Sequence, residues 1–121
     1  MSDILIVRNP LASEDLRRLV LDGFGDMVKY VGDLERELLA LGGQLHADAE
    51  AVLLEDGSRR EHLWGANYFP GKSTEECIEF TSLINIRPAQ SNPRMEIADP
   101  RLQEIMRALT FRLIGRGEAL A

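Results

Sequence analysis

The chain has 121 residues, of which 45% are hydrophobic and 28% charged, with a formal net charge of −6 and one cysteine. That length fits a single domain, 1–121, with a core that needs neither metal nor disulfide, and the composition excludes a disordered or fibrous chain. The negative charge disfavours nucleic-acid partners, the lone Cys77 excludes an internal disulfide and cysteine-pair zinc sites, and no apolar run is long enough for a membrane span or signal-peptide core; a soluble, cytoplasmic protein is expected.

Ile4, Leu5, Ile6 and Val7 form an aliphatic run that stops at the turn dipeptide Asn9-Pro10, the pattern of a short buried strand. A helix is expected over 13–22. Ser13 stands as its N-cap, Glu14 and Asp15 put negative charge in its first turn, Leu16, Leu19 and Val20 recur at helical spacing, and Gly23 suits a left-handed stop. Segment 27–41 supports two readings. Val28, Val31, Leu34, Leu38 and Leu41 fall on one helical stripe, whereas Val28, Tyr30, Val31 and the interior Gly32 suit a strand, with 33–36 as a polar reversal. The hairpin is the reading adopted, with a helix as the alternative.

Asp48 is expected to cap a second helix, with His46 just before it, Glu50 near its start, Val52 and Leu53 on its buried side and Gly57 after its end. Segment 62–69 then alternates toward a strand closed by Pro70-Gly71. Segment 78–87 carries the clearest strand pattern: Ile78, Phe80, Ser82, Ile84 and Ile86 on one face, Glu79, Thr81, Leu83, Asn85 and Arg87 on the other. Asp99-Pro100 opens a terminal helix with an N-cap carboxylate and a proline in the first position. Its apolar stripe is Leu102, Ile105, Met106, Leu109 and Leu113, ending near Gly115 and Gly117. The order β-α-β-β-α-β-β-α makes an α+β sandwich, a largely antiparallel sheet covered by helices.

Four blocks carry a resemblance: Leu45-His46-Ala47-Asp48-Ala49-Glu50, Leu53-Leu54-Glu55-Asp56-Gly57-Ser58, Leu63-Trp64-Gly65-Ala66-Asn67 and Ser82-Leu83-Ile84-Asn85-Ile86-Arg87-Pro88. Together they resemble a family of small prokaryotic proteins catalogued as a domain of unknown function. The resemblance spans nearly the whole chain and implies one compact domain in which the His46 and Arg87 blocks can share a site. It implies no reaction, cofactor or partner.

Two constellations carry candidate chemistry. Asn85, Arg87, Gln90, Asn92 and Arg94 lie where a strand pattern runs into prolines; guanidinium forks recognise carboxylate or phosphate and amides fix orientation, so with His46 they suit a small polar or anionic ligand or a protein partner. The bland reading is that Arg87 pairs with a glutamate and the amides shape a turn. His46, Asp48 and Glu50 offer three nitrogen and oxygen ligands for a divalent metal, with helix capping as the competing role. Ser82 lacks a nucleophile-elbow pattern, and Cys77 beside Glu75 and Glu76 has its thiolate disfavoured. Trp64 and Tyr68 share a strand face with the core as their ordinary destination. The leading expectation is a non-catalytic ligand- or partner-binding domain using the surface around Arg87, Arg94 and His46. The alternative is a small metal-dependent hydrolase on His46, Asp48 and Glu50, and the third option is a structural homo-oligomer.

Overall fold

The computed structural model describes residues 4–120. Five strands form one sheet: β1 Leu5–Val7, β2 Val28–Asp33, β3 Leu38–Leu41, β4 Leu63–Tyr68 and β5 Ile78–Glu79. Their order is β1-β3-β2-β4-β5 and every neighbouring pair is antiparallel. Three helices cover the sheet: α1 Ser13–Asp22, α2 His46–Glu55 and α3 Pro100–Leu113. The α+β expectation holds, and so does the hairpin over 27–41. Val28, Tyr30 and Leu39 join one core cluster while Val31, Leu38 and Ala40 join the other, a period of two that a helix could not satisfy.

The two clusters occupy opposite faces of the sheet. On one, Leu16 and Val20 of α1 and Met106, Leu109 and Leu113 of α3 pack on Val28, Tyr30, Leu39, Leu41, Ala66 and Tyr68. On the other, Ala49 and Leu53 of α2 pack on Val31, Leu38, Ala40 and Leu63. Because strands β2 and β3 are apolar on both faces, the hairpin lies between two helical layers. The turn at 34–37 is built locally. Asp33 Oδ1 accepts the backbone N–H groups of Glu35 at 3.0 Å and Arg36 at 2.9 Å, an aspartate turn that frees the chain to reverse at Glu37, φ 56.

Helix ends depart from the sequence expectation by a residue or two. Ser13 is the first residue of α1; the cap is Ala12, whose carbonyl accepts from Asp15 and Leu16. Gly23 is not left-handed, and the stop is made two positions later, where Gly25 N–H bonds to the Val20 carbonyl. Likewise α2 begins at His46 with Leu45 as cap, so Asp48 lies inside the first turn, where its charge still favours the helix N-terminus. At α3, Asp99 caps as expected, accepting from Arg101 N–H at 2.9 Å. Ile105 of its expected stripe is 49% exposed and lies off the buried face.

The largest departure is at 78–87. Its strand pattern is realised over only Ile78–Glu79, after which the chain makes one bridge between Thr81 and Glu96 and turns into a 3₁₀ segment, Leu83–Asn85. Ser82 explains the break: its hydroxyl accepts the Ile84 N–H at 3.2 Å, a local bond that competes with ladder pairing. Leu83 and Ile86 are thereby turned outward, at 70% and 43% exposure, while Asn85 is carried fully inside. Beyond β5's short pairing, the outer edge of β4 is met by side chains.

Candidate functional site

The expected ligand-binding residues fall in the segment that replaces the missing strand. Register places Ala66 opposite Tyr30 and Gly65 opposite Val31, and the alternation of an antiparallel ladder then aims the Gly65 backbone at the outer edge. Asn85 answers it like a peptide unit: its Oδ1 accepts Gly65 N–H at 2.8 Å and its Nδ2 donates to the Gly65 carbonyl at 3.0 Å. The same Nδ2 reaches the Met95 carbonyl at 3.0 Å. Gly65 permits the close approach, since a Cβ there would stand 2.6 Å from the Cβ of Ser82. Asn92, also buried, ties the following loop. Its Nδ2 donates to the carbonyls of Asn85, Arg94 and Glu96, and its Oδ1 accepts Ala98 N–H at 2.8 Å.

Arg87 is equally committed. Its Nε donates to the Ile84 carbonyl at 3.0 Å and its Nη1 to the Arg60 carbonyl at 2.7 Å, its Nη2 lies 3.5 Å from Glu50 Oε2, and its guanidinium sits 4.8 Å from the centre of the Trp64 ring. The Arg87 and Glu50 side chains are only 10% and 13% exposed. Burial lowers the Arg87 pKa, Glu50 acts in the opposite direction, and neighbouring Arg60 lowers it further. Gln90 Nε2 donates to the Glu61 carbonyl at 3.0 Å. Arg94 is exposed and enters no ion pair among the described residues. Four of the five polar residues of this rim therefore hold the loop against β4, α2 and the 60–62 turn, and a ligand would find their donors occupied.

The three expected metal ligands separate. Residues two apart on a helix are turned about 200° around its axis, so Asp48 leaves the side shared by His46 and Glu50. Glu50 goes to Arg87 and, at 3.8 Å, to Arg60. His46, 9% exposed, bonds through Nε2 to the Ala66 carbonyl at 2.8 Å. Since a carbonyl can only accept, Nε2 carries the hydrogen of this bond. Burial lowers its pKa first and Lys29 lowers it further, against the Ala66 carbonyl, the Asn67 amide and Glu79. Among the described residues no three His, Cys, Asp or Glu side chains gather as a metal site.

Two features around His46 escaped the sequence pattern. Lys29, Asn67 and Glu79 stand directly across from one another on β2, β4 and β5, on the α2 face of the sheet. Asn67 Nδ2 donates to Glu79 Oε1 at 2.8 Å, and its buried Oδ1 is turned to His46 without reaching a hydrogen bond of normal geometry. Beside this row opens a cleft of about 830 Å³, bounded by the C-terminus of α1, the start of β2, the Gly42-Gly43 turn and the first turn of α2. Gly42 and Gly43, at φ 111 and 85, make a tight exit from β3 that side-chain-bearing residues would resist, and so keep the floor of the cleft low. Lys29 and Asp48 both line it.

A family described as "Protein of unknown function (DUF5674)" matches residues 5–113. The chain belongs to this family. No curated protein and no solved structure matches it. Membership in DUF5674 carries no reaction, so the chemistry of this DUF5674 chain rests on its own side chains. The cleft was hidden because its residues come from α1, β2, the Gly42-Gly43 turn and α2. The one usable sequence signal was Lys29: a lone cation between the apolar residues Val28, Tyr30 and Val31 of β2 invites the question of what it meets.

Proposed function

We propose that this DUF5674 protein is a non-catalytic binding domain whose small-molecule site is the cleft between α1 and α2, in place of the polar rim around Arg87 and Arg94. One observation carries the reading. The cleft joins apolar wall to charged groups, Lys29, Asp22 and Asp48, that enter no ion pair among the described residues, with Arg18 beside them held by Asp15, while Arg87 and the amides of the rim are engaged internally. Concave, partly apolar sites with a few convergent polar groups are the usual seats of small ligands. His46 contributes from beneath, as a neutral side chain fixing the first turn of α2 to β4.

The test is amide chemical-shift mapping of the labelled protein against a mixed set of small polar and amphipathic fragments. Shifts should cluster at Phe24, Lys29, Gln44 and Asp48 and be lost in Lys29→Met. Shifts clustering at Arg87, Gln90 and Arg94 would restore the rim as the site, and an absence of any mapped site would end the small-molecule reading.

A further inference from the structure

The charges of the cleft are of both signs, and their positions restrict what can occupy it. Asp22 is the last residue of α1, a helix with no basic residue in its final turn, so its carboxylate adds to the negative end of the helix dipole; Arg18, one turn earlier and also lining the cleft, is paired with Asp15 at 3.5 Å. Lys29 stands on β2 with its ammonium 5.3 Å from the centre of the Phe24 ring, and neither it nor Asp22 or Asp48 is paired among the described residues. Between them the wall is apolar, formed by Leu19, Phe24 and Met27. A simple anion would meet Lys29 but be repelled by the two carboxylates, and a simple cation would meet the reverse. A neutral apolar molecule would desolvate three charges without pairing any.

We propose that the cleft takes a small zwitterion with an apolar body, the class to which the apolar α-amino acids belong. Its carboxylate meets Lys29, its ammonium meets Asp22 at the C-terminus of α1, and its side chain lies on Leu19, Phe24 and Met27. This inference rests on the cleft being the binding site. Calorimetric titration of the whole chain with L-leucine and L-phenylalanine tests it, alongside N-acetyl-L-phenylalanine, which lacks the ammonium, and phenethylamine, which lacks the carboxylate. The free amino acid should bind at least about tenfold more tightly than either analogue, since each removes one charge-assisted contact. Asp22→Asn, at an exposed position that leaves the core intact, should weaken the amino acid and spare N-acetyl-L-phenylalanine; Lys29→Met should weaken the amino acid and spare phenethylamine. Analogues binding as tightly as the parent, or no binding by either amino acid, would overturn the zwitterion. In that event fragments still mapping to Phe24 and Lys29 would keep the cleft as a site, and loss of those as well would remove both.

Discussion

Replacing Asn85 is the most direct challenge to the claim that a side-chain amide stands in for a strand. Asn85→Ala removes the partner of Gly65 N–H, of the Gly65 carbonyl and of the Met95 carbonyl, three groups around a residue with no exposed surface. Each buried group left unpaired costs about 1–3 kcal/mol, and water entering the vacated volume recovers part, so a loss of about 3–5 kcal/mol is expected. That is a large share of the roughly 5–15 kcal/mol that holds a domain of this size. In urea, with an m-value of about 1–3 kcal/mol per molar, the unfolding midpoint should fall by about 1–5 M without a change of slope. Two further variants separate hydrogen bonding from packing. Asn85→Leu keeps most of the volume and should lose nearly as much as alanine. Asn85→Asp keeps an acceptor for Gly65 N–H but turns a carboxylate toward two carbonyls, so it should be no better than alanine at neutral pH and improve as acid protonates it. A loss below about 1 kcal/mol for Asn85→Ala, at unchanged slope, would refute the strand-substitute account.

Three other outcomes follow from the same geometry. Arg87→Ala should destabilise the fold by about 2–4 kcal/mol because it strands Glu50 and frees two carbonyls, Arg87→Lys should restore little, and ligand capture in the cleft should survive both; retained stability with lost binding would return Arg87 to the site. Gly65→Ala should cost about 1–3 kcal/mol by driving a methyl into Ser82, and Ser82→Gly in the same chain should recover part of it; an additive pair would contradict the contact. For His46, the folded pKa lies below the ordinary 6.5, so the unfolded chain binds the proton first: its contribution is complete above about pH 6.5 and is lost as pH falls through the folded value. The stability difference between the native protein and His46→Gln should therefore shrink as denaturant titrations are moved from neutral to mildly acidic pH. A constant difference would show that folding does not shift the His46 pKa.

Most of the fold was legible because local pattern and tertiary packing agree there. The sheet hairpin over 27–41 is the instructive case: its helical stripe was as regular as its strand features, and what decided between them was Gly32, whose absent Cβ leaves room for Met106, since one placed there would lie 2.7 Å from the sulfur. A glycine at that contact is costly in a helix and useful in a strand over which a helix packs. The alternation at 78–87 misled for the complementary reason. Apolar residues every second position fit a strand equally well whether or not the chain has an edge to pair with, and one serine hydroxyl bonding two residues ahead is enough to turn it aside.

The amides and arginine at that strand end were visible as a cluster, yet clustering alone does not distinguish a surface that awaits a partner from one that has already found it. The deciding quantity is donor occupancy. Asn85 and Asn92 have every amide direction engaged, Arg87 reaches two carbonyls, a carboxylate and a ring, and the segment supplies by side chain what a longer β5 would have supplied by backbone. By the same measure, Lys29 and Asp22 attract attention although no motif surrounds them. They are charges left without an internal counterpart beside a concave apolar wall, and such charges acquire meaning only when distant segments meet, which sequence spacing does not encode.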